Sequence, residues 1–279
     1  MIIKQIMTPK PFTIDLLSGV MKAERIMREK RIGGLPVIDN GTLVGIITSR
    51  DIKKAHPNRI VADAMTSDVI VLGPHNTLWE AQSLMDQYNI EKLVIVNNKK
   101  VVGILTKSDL FKEIGKYKDS LTGLYKKEYI LAKSMTFLKN NSPFSFIFLD
   151  LDKFGRIDKD FGHAFGDKIL METSNMLKKF ENENTFVCRF GGDEFVLLLN
   201  DSRQKATALA VKLIRKFQTK KWPNNLDISA SVGIVHTDQQ NMTQYNPEKT
   251  FWVEELLNKA SLASTAAKQA PKKYVVQNL

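Results

Sequence analysis

Apolar positions over the first 115 residues recur in one order, and that order appears twice. Val20, Ala23, Ile26 and Met27 fall at helical spacing, as do Leu78, Ala81, Leu84 and Met85. Each helical stretch follows a short extended segment, 12–14 in the first case and 69–72 in the second. Each precedes two apolar strands, predicted over 35–38 and 43–47, then over 93–96 and 101–105. The connections Asp39-Asn40-Gly41 and Asn97-Asn98-Lys99 have the composition of hairpin turns. A shift of 58 residues carries Met7 and Thr8 onto Met65 and Thr66, and Ala23 and Met27 onto Ala81 and Met85. It also carries Ile32 and Leu35 onto Ile90 and Leu93, and Gly45, Thr48 and Asp51 onto Gly103, Thr106 and Asp109. A constant offset over so many positions marks two copies of one unit, residues 1–56 and 57–115.

The pattern changes after residue 116. Tyr129, Ile130, Ala132, Met135 and Leu138 form an amphipathic helical stretch, and 144–151 is a strand-length apolar run. Alternation along that run puts Phe146, Phe148, Asp150 and Asp152 on one side. A helix is predicted over 165–180, then strands over 185–190 and 195–199. The turn between those strands is Gly191-Gly192-Asp193-Glu194, a hairpin tip with two glycines and two acids. The chain thus reads as a mixed α/β (α+β) protein, with a third domain over 116–279.

Composition narrows the class. The 279 residues hold 43% hydrophobic and 25% charged side chains, an ordinary globular mix. No apolar stretch approaches the roughly 20 residues that span a bilayer, and residues 1–11 lack the apolar core of a signal peptide. The expectation is a cytoplasmic protein that meets no membrane. A single cysteine, Cys188, excludes an intramolecular disulfide; its apolar surroundings predict a buried, inert thiol. The net charge of +11, with many lysines between 99 and 139, favours anionic partners such as nucleotide phosphates. No basic run is interleaved with aromatics, so a nucleic-acid partner is not expected.

Chemistry enters at two places. Each repeat ends with a hydroxyl and a carboxylate at a helix start, Thr48 with Asp51 and Thr106 with Asp109. The pair serves as a helix cap, and it also suits a nucleotide, the hydroxyl on phosphate and the carboxylate on ribose hydroxyls. Two copies after GIIT and GILT resemble the CBS domain, over nearly all of residues 1–115. The resemblance implies a tandem CBS pair that dimerises and holds a regulatory adenine nucleotide (AMP, ADP or ATP). Thr48 and Asp51 would belong to one such site, and Thr106 and Asp109 to the other.

The second place is the acidic hairpin tip. Neighbouring strands lie about 5 Å apart, so a carboxylate at the end of 144–151 and two at 193–194 can share divalent cations. Two such ions activate a hydroxyl and stabilise a pyrophosphate leaving group, and glycines let phosphates approach the backbone. RFGGDEF at 189–195, DSLTGL at 119–124, DLDKF at 150–154, FGHAFGD at 161–167, SVGI at 231–234, and Ala260 with Lys268 occur in order. Together they resemble the GGDEF family of diguanylate cyclases.

That resemblance implies a palm-like domain with a central antiparallel sheet flanked by helices. It implies condensation of two GTP into cyclic di-GMP and two pyrophosphates, across a homodimer that presents one GTP from each copy. It assigns Mg2+ (or Mn2+) to Asp150, the Leu151 carbonyl, Asp193 and Glu194, with Asp193 and Glu194 catalytic. It assigns substrate contacts to Asp158, Asp167, Gly191, Gly192, Lys268 and Lys272, and structural roles to Phe154 and His163. Phe111 to Lys118 would couple the two halves.

The chain departs from the family pattern at several positions. Gly155 stands for a usual lysine and Asp158 for a usual asparagine. Ser261, Thr265 and Pro271 stand for the usual acid, tyrosine and glycine of the last helix. Asn182 and Thr185 replace the Arg-x-x-Asp of product inhibition. The alternative reading is therefore a weak or inactive GGDEF domain that acts as a GTP-binding or nucleotide-binding receptor.

Overall fold

The computed structural model describes residues 1–238, 242 and 251–277. The chain divides into two compact units, Met1–Lys116 and Tyr117–Leu279.

In the first unit the elements are β1 (Thr8–Pro9), β2 (Ile14–Asp15), α1 (Val20–Lys30), β3 (Gly34–Asp39), β4 (Thr42–Thr48) and α2 (Ser49–Lys54). The second copy follows as β5 (Val71–Leu72), α3 (Leu78–Gln87), β6 (Lys92–Asn97), β7 (Lys100–Thr106) and α4 (Lys107–Gly115). The predicted elements are present, each strand of the two hairpins one or two residues longer at its ends. Asn40 and Gly41 turn at φ 49° and 81°, and Asn98 and Lys99 at 49° and 65°. Two consecutive positive φ values match the right-handed twist of the flanking strands. Thr77 caps α3 reciprocally with Glu80, through bonds of 3.2 and 2.6 Å, an arrangement worth about 1 kcal/mol.

The repeats interlock through their Met-Thr pairs. β1 pairs with β7 of the other copy, Thr8 opposite Ile104. Thr66 bridges Ile46 of the first copy. The missing side chains of Gly45 and Gly103 make room for the sulfurs of Met65 and Met7 respectively. Each copy therefore completes the other's sheet, and the constant offset has a packing cause as well as a chemical one.

The second unit is α5 (Lys127–Lys139), β8 (Phe144–Leu151), α6 (Phe154–Phe161), α7 (His163–Lys178), β9 (Thr185–Gly191), β10 (Glu194–Leu199), α8 (Arg203–Thr219), β11 (Ala230–Thr237), α9 (Phe251–Ala267) and β12 (Tyr274–Gln277). The sheet order is β12-β11-β8-β10-β9. All pairings are antiparallel except β11 with β12, a parallel edge strand. β8 lies at the centre and is buried on both faces, which explains its unbroken apolar run. Phe144, Phe146 and Phe148 pack with residues of α5 and α9, while Ile147, Leu149 and Leu151 pack with residues of α7 and α8. The helix expected over 165–180 begins two residues earlier, and a further helix, α6, precedes it. Gly162, at φ 81°, separates the two.

Candidate active site and nucleotide cleft

Strand register brings the acids together. Asp150, next to last in β8, lies opposite Glu194 on one side and Ser231 on the other. β9 ends at Gly191 and β10 begins at Glu194, so Gly192 and Asp193 form the whole turn. Gly192 takes φ 44° there, a left-handed conformation that glycine adopts without steric cost. The Leu151 amide donates to the Asp193 carbonyl at 3.3 Å, tying the turn to the end of β8.

The acids are short of positive charge. Burial pushes the Asp193 carboxyl above its usual range, with its own amide opposing and Asp150 adding to the rise. Burial also raises Glu194, reinforced by Asp150 and Asp193. Lys268, just past α9, stands 2.9 Å from Asp150 Oδ1. Contact with Asp150 holds its ammonium pKa up, with burial opposing. Asp150 Oδ1 is buried, and the Lys268 ammonium is its close polar neighbour.

That oxygen gives a test of fit for a divalent cation. Three carboxylates, one paired with Lys268 and two whose charge is disfavoured by burial and then by neighbouring acids, form an oxygen-only donor set of the kind Mg2+ prefers. Among the described residues no three ligating side chains converge on one point as they stand; the Lys268 ammonium lies against Asp150. The residues fit the ion.

Asp152 lies just past the end of β8 and shares the face of Asp150, since it bonds Ser231, the residue opposite Asp150. Its carboxylate accepts from Ser229 at 2.6 Å and Ser231 at 2.7 Å, and pairs with Lys273 at 3.2 Å. Burial opposes its charge, but these three partners outweigh that and hold the carboxyl below its usual range. A carboxylate so satisfied is an anchor for the α9–β12 turn. Lys272, next to Lys273 in the chain, is exposed.

Two residues outside the expected set hold the tip. Arg189 donates from Nε and Nη2 to the Gly192 carbonyl at 3.0 and 2.7 Å, and from Nη1 to Asp119 at 3.0 Å. Asp119 also accepts from the Thr122 amide and hydroxyl at 2.8 and 2.7 Å. Burial works against its charge, yet Thr122 and Arg189 prevail and hold its carboxyl low. The DSLT run therefore braces the glycine turn. The signal is present in the sequence as an arginine just before the glycines and an aspartate opening the domain.

The remaining substrate candidates lie on α6 and α7. Asp158 contacts His163 at 3.2 Å and occupies the space left by the missing side chain of Gly166. Its charge reaches the tip, where it adds to the rise at Asp193. Asp167 is exposed on α7. Phe154 is in the core, whereas His163 is exposed. Gly155 faces open space. Asn182 and Thr185 close on each other through backbone bonds of 3.1 and 3.3 Å. Cys188 is fully buried, and burial pushes its thiol pKa far up.

In the first unit, Asp51 accepts from the Thr48 amide at 2.8 Å and hydroxyl at 2.6 Å. Asp109 accepts from the Thr106 hydroxyl at 2.5 Å. A cavity of about 450 Å³ opens beside Thr48 and Asp51, bordered by residues of both copies. Among the described residues no helix is long and apolar enough to cross a membrane.

Two interlocked repeats followed in the chain by an acid-tipped, mainly antiparallel sheet define a repeat pair joined to a palm-like α/β domain. The chain belongs to the diguanylate cyclase, GGDEF domain family, matched over residues 116–273, and its residues 3–58 and 61–116 are CBS domains. Among curated proteins it is similar to inosine-5'-monophosphate dehydrogenase of Korarchaeum cryptofilum, 43% identical over 101 residues, 36% of this chain and 21% of that one. The enzyme of the same name from Nitrosopumilus maritimus is 36% identical over 107 residues, 38% of this chain and 22% of that one. The chain thus spans about a fifth of the length of these two relatives. A solved CBS domain pair, that of protein MJ0100 in complex with 5-methylthioadenosine and S-adenosyl-L-methionine, is 33% identical. It covers 42% of this chain and 98% of its own, with a TM-score of 0.41.

Proposed function

We propose that the chain is a diguanylate cyclase whose output is set by an adenine nucleotide in the CBS pair. The observation that carries this is the register of Asp150 against Glu194, with Asp193 in the turn beside them and the Lys268 ammonium against Asp150. Asp150, Asp193, Glu194 and the Leu151 carbonyl would hold Mg2+ or Mn2+. When bound, the metal supplies Lewis-acid polarisation of the phosphates and lowers the pKa of the attacking hydroxyl.

The chain's own residues do the rest. Gly191 and Gly192 let the nucleotide lie against the backbone. Asp158 and Asp167 accept from the donor edge of guanine, which presents N1–H and N2–H2. Lys268 leaves Asp150 for the triphosphate, with Lys272 behind it. Each 3′-hydroxyl oxygen bonds to the α-phosphorus of the facing GTP, the bond to the β-phosphate oxygen breaks, and pyrophosphate departs. The Glu194 carboxylate, made more basic by burial and then by Asp150 and Asp193, is suited to receive the hydroxyl proton. Two facing domains are required, so the working unit is a homodimer, and GTP as substrate puts it in the cytoplasm. The nucleotide at Thr48 and Asp51 shifts the population of productive dimers. Asn182 and Thr185 lack the charged side chains of an Arg-x-x-Asp site, so product does not inhibit through those positions.

The test is incubation of purified protein with GTP and Mg2+, with and without adenine nucleotides, and quantification of cyclic di-GMP and pyrophosphate. Confirmed GTP binding without product under every condition defeats the cyclase reading. It leaves the second reading, a receptor that signals by contact, which the open space at Gly155 favours because a usual phosphate-binding lysine is missing there.

A further inference from the structure

The equivalent clefts of the two repeats differ in charge. On the adenine-nucleotide reading of the CBS pair, that difference decides which nucleotide each cleft accepts. The cavity beside Thr48 is bordered by two cations, Arg50 and Lys92, and by three carboxylates, Asp51, Asp68 and Glu91. Arg50 is already engaged with Glu91, at 3.5 Å. Lys92 lies across the glycines of the first copy, where a Cβ on Gly34 would meet its Cδ at 3.0 Å. The Thr48 hydroxyl donates a hydrogen bond to Asp51.

The shift of 58 residues carries this border onto the other copy. Asp68 becomes Lys10, Asn89 becomes Arg31, Ser49 becomes Lys107 and Arg50 becomes Ser108. Glu91 and Lys92 become Gly33 and Gly34, Gly33 becomes Glu91, and Asp51 becomes Asp109. Glu91 thus borders both positions. One side sets two cations against three carboxylates; at the corresponding positions of the other copy stand three cations and two carboxylates, with Lys107 paired to Asp86 at 2.7 Å. The scaffold is the same, and the Thr48 side carries the greater negative charge.

We propose that the Thr48–Asp51 cleft selects an adenosine ligand bearing at most one phosphate, or a neutral or cationic 5′ substituent, and discriminates against di- and triphosphates. Each added phosphate brings at least one further negative charge toward Asp68 and Glu91. Like charges within one Debye length at a half-wet site lower affinity by about tenfold per opposed pair.

The test is calorimetric titration of the full chain with adenosine, AMP and ATP, without divalent cations. It is run on a Thr106→Val, Asp109→Ala variant so that the Thr48 cleft reports alone. AMP binds at least about tenfold more tightly than ATP, and Asp68→Lys, which imports the residue found at position 10, brings the two within about threefold. In the wild-type chain, Asp51→Ala costs more AMP affinity than ATP affinity. ATP binding the Thr48 cleft as tightly as AMP, or an unchanged ratio in Asp68→Lys, overturns the proposal while leaving the adenine reading standing. No binding by any adenine compound to the wild-type chain overturns that reading and the proposal with it.

Discussion

Asp150 stands directly opposite Glu194 across the pairing of the central strand with the acidic hairpin. The juxtaposition places two carboxylates side by side with Asp193 in the adjoining turn, and burial and mutual repulsion raise Asp193 and Glu194 above their usual values. A carboxyl whose folded pKa is raised costs stability once pH exceeds its unfolded value, near 4. The cost grows up to the folded pKa and is constant above it. Asp193→Asn or Glu194→Gln, without metal, therefore raises the melting temperature by a few degrees at pH 7 to 8. The gain vanishes at or below about pH 4. Saturating Mg2+ stabilises the wild type and not these variants. Thermal denaturation across pH, with and without Mg2+, checks both; a gain that persists at acid pH contradicts the account.

Arg189 makes three donor contacts, two to the Gly192 carbonyl and one to Asp119. Arg189→Ala removes the brace and strands Asp119, a half-buried carboxylate, with only Thr122. The expected loss is about 2 kcal/mol at neutral pH, below the figure for a fully buried pair because both partners keep some solvent. Asp119 is held low in the fold, so its share is present above about pH 4 and fades as pH falls through the folded value. Arg189→Lys replaces a planar fork with a point charge and recovers less than half of the loss. Urea denaturation of the three proteins measures this. Equal stability of wild type and Arg189→Ala contradicts it.

Gly155 sits in the first turn of α6, and a Cβ there would meet nothing within 4 Å. Gly155→Lys is therefore accommodated without strain and adds a cation on the nucleotide side of the domain. A helical glycine is also less favourable than lysine by about 0.5–1 kcal/mol. The variant should be slightly more stable and should bind GTP about three- to tenfold more tightly, roughly 1 kcal/mol. Melting temperature and GTP titration report the two effects separately. Tighter binding without gain in stability would mean that α6 does not extend through this position.

Features set by local pattern are legible in the sequence. The repeat, both Asn-containing turns and β8 all follow from short-range periodicity and turn chemistry, as does the glycine-acid tip. Alternation groups Asp152 with Asp150, but it does not show the partners that hold Asp152, because Ser229, Ser231 and Lys273 all lie far along the chain. The brace from Asp119 to Arg189 is hidden for the same reason, since 70 residues separate its ends. α6 does not show because Phe154, Ile157 and Phe161 are too few apolar positions to declare a helix of eight residues. The parallel edge strand β12 is four residues of partly buried chain, too short to show its direction. For the Thr48 cleft the residues are legible, but the cavity that makes them a site is not.

Gly233 links the packing of the sheet to Lys268. A Cβ at this position would press on the Ala260 carbonyl and the Ser264 amide of α9, both backbone atoms. A flexible side chain could swing away from such a contact, as those of Met7 and Met65 can at Gly103 and Gly45, but a helix backbone moves only as a unit. Gly233→Ala thus pushes α9 off β11 and carries Lys268 away from Asp150. Overpacking of this kind costs about 1–3 kcal/mol and occasionally more, and the rigid neighbours put this position at the upper end. Gly45→Ala and Gly103→Ala should each cost about 1 kcal/mol. The discriminating measurement compares Gly233→Ala with a cavity variant of equal destabilisation in the same unit, Leu213→Ala, at a temperature where both are folded. If α9 positions the lysine, only Gly233→Ala weakens GTP binding beyond the loss expected from the unfolded fraction. Equal GTP affinity in the two variants would separate the packing of α9 from the binding of the triphosphate.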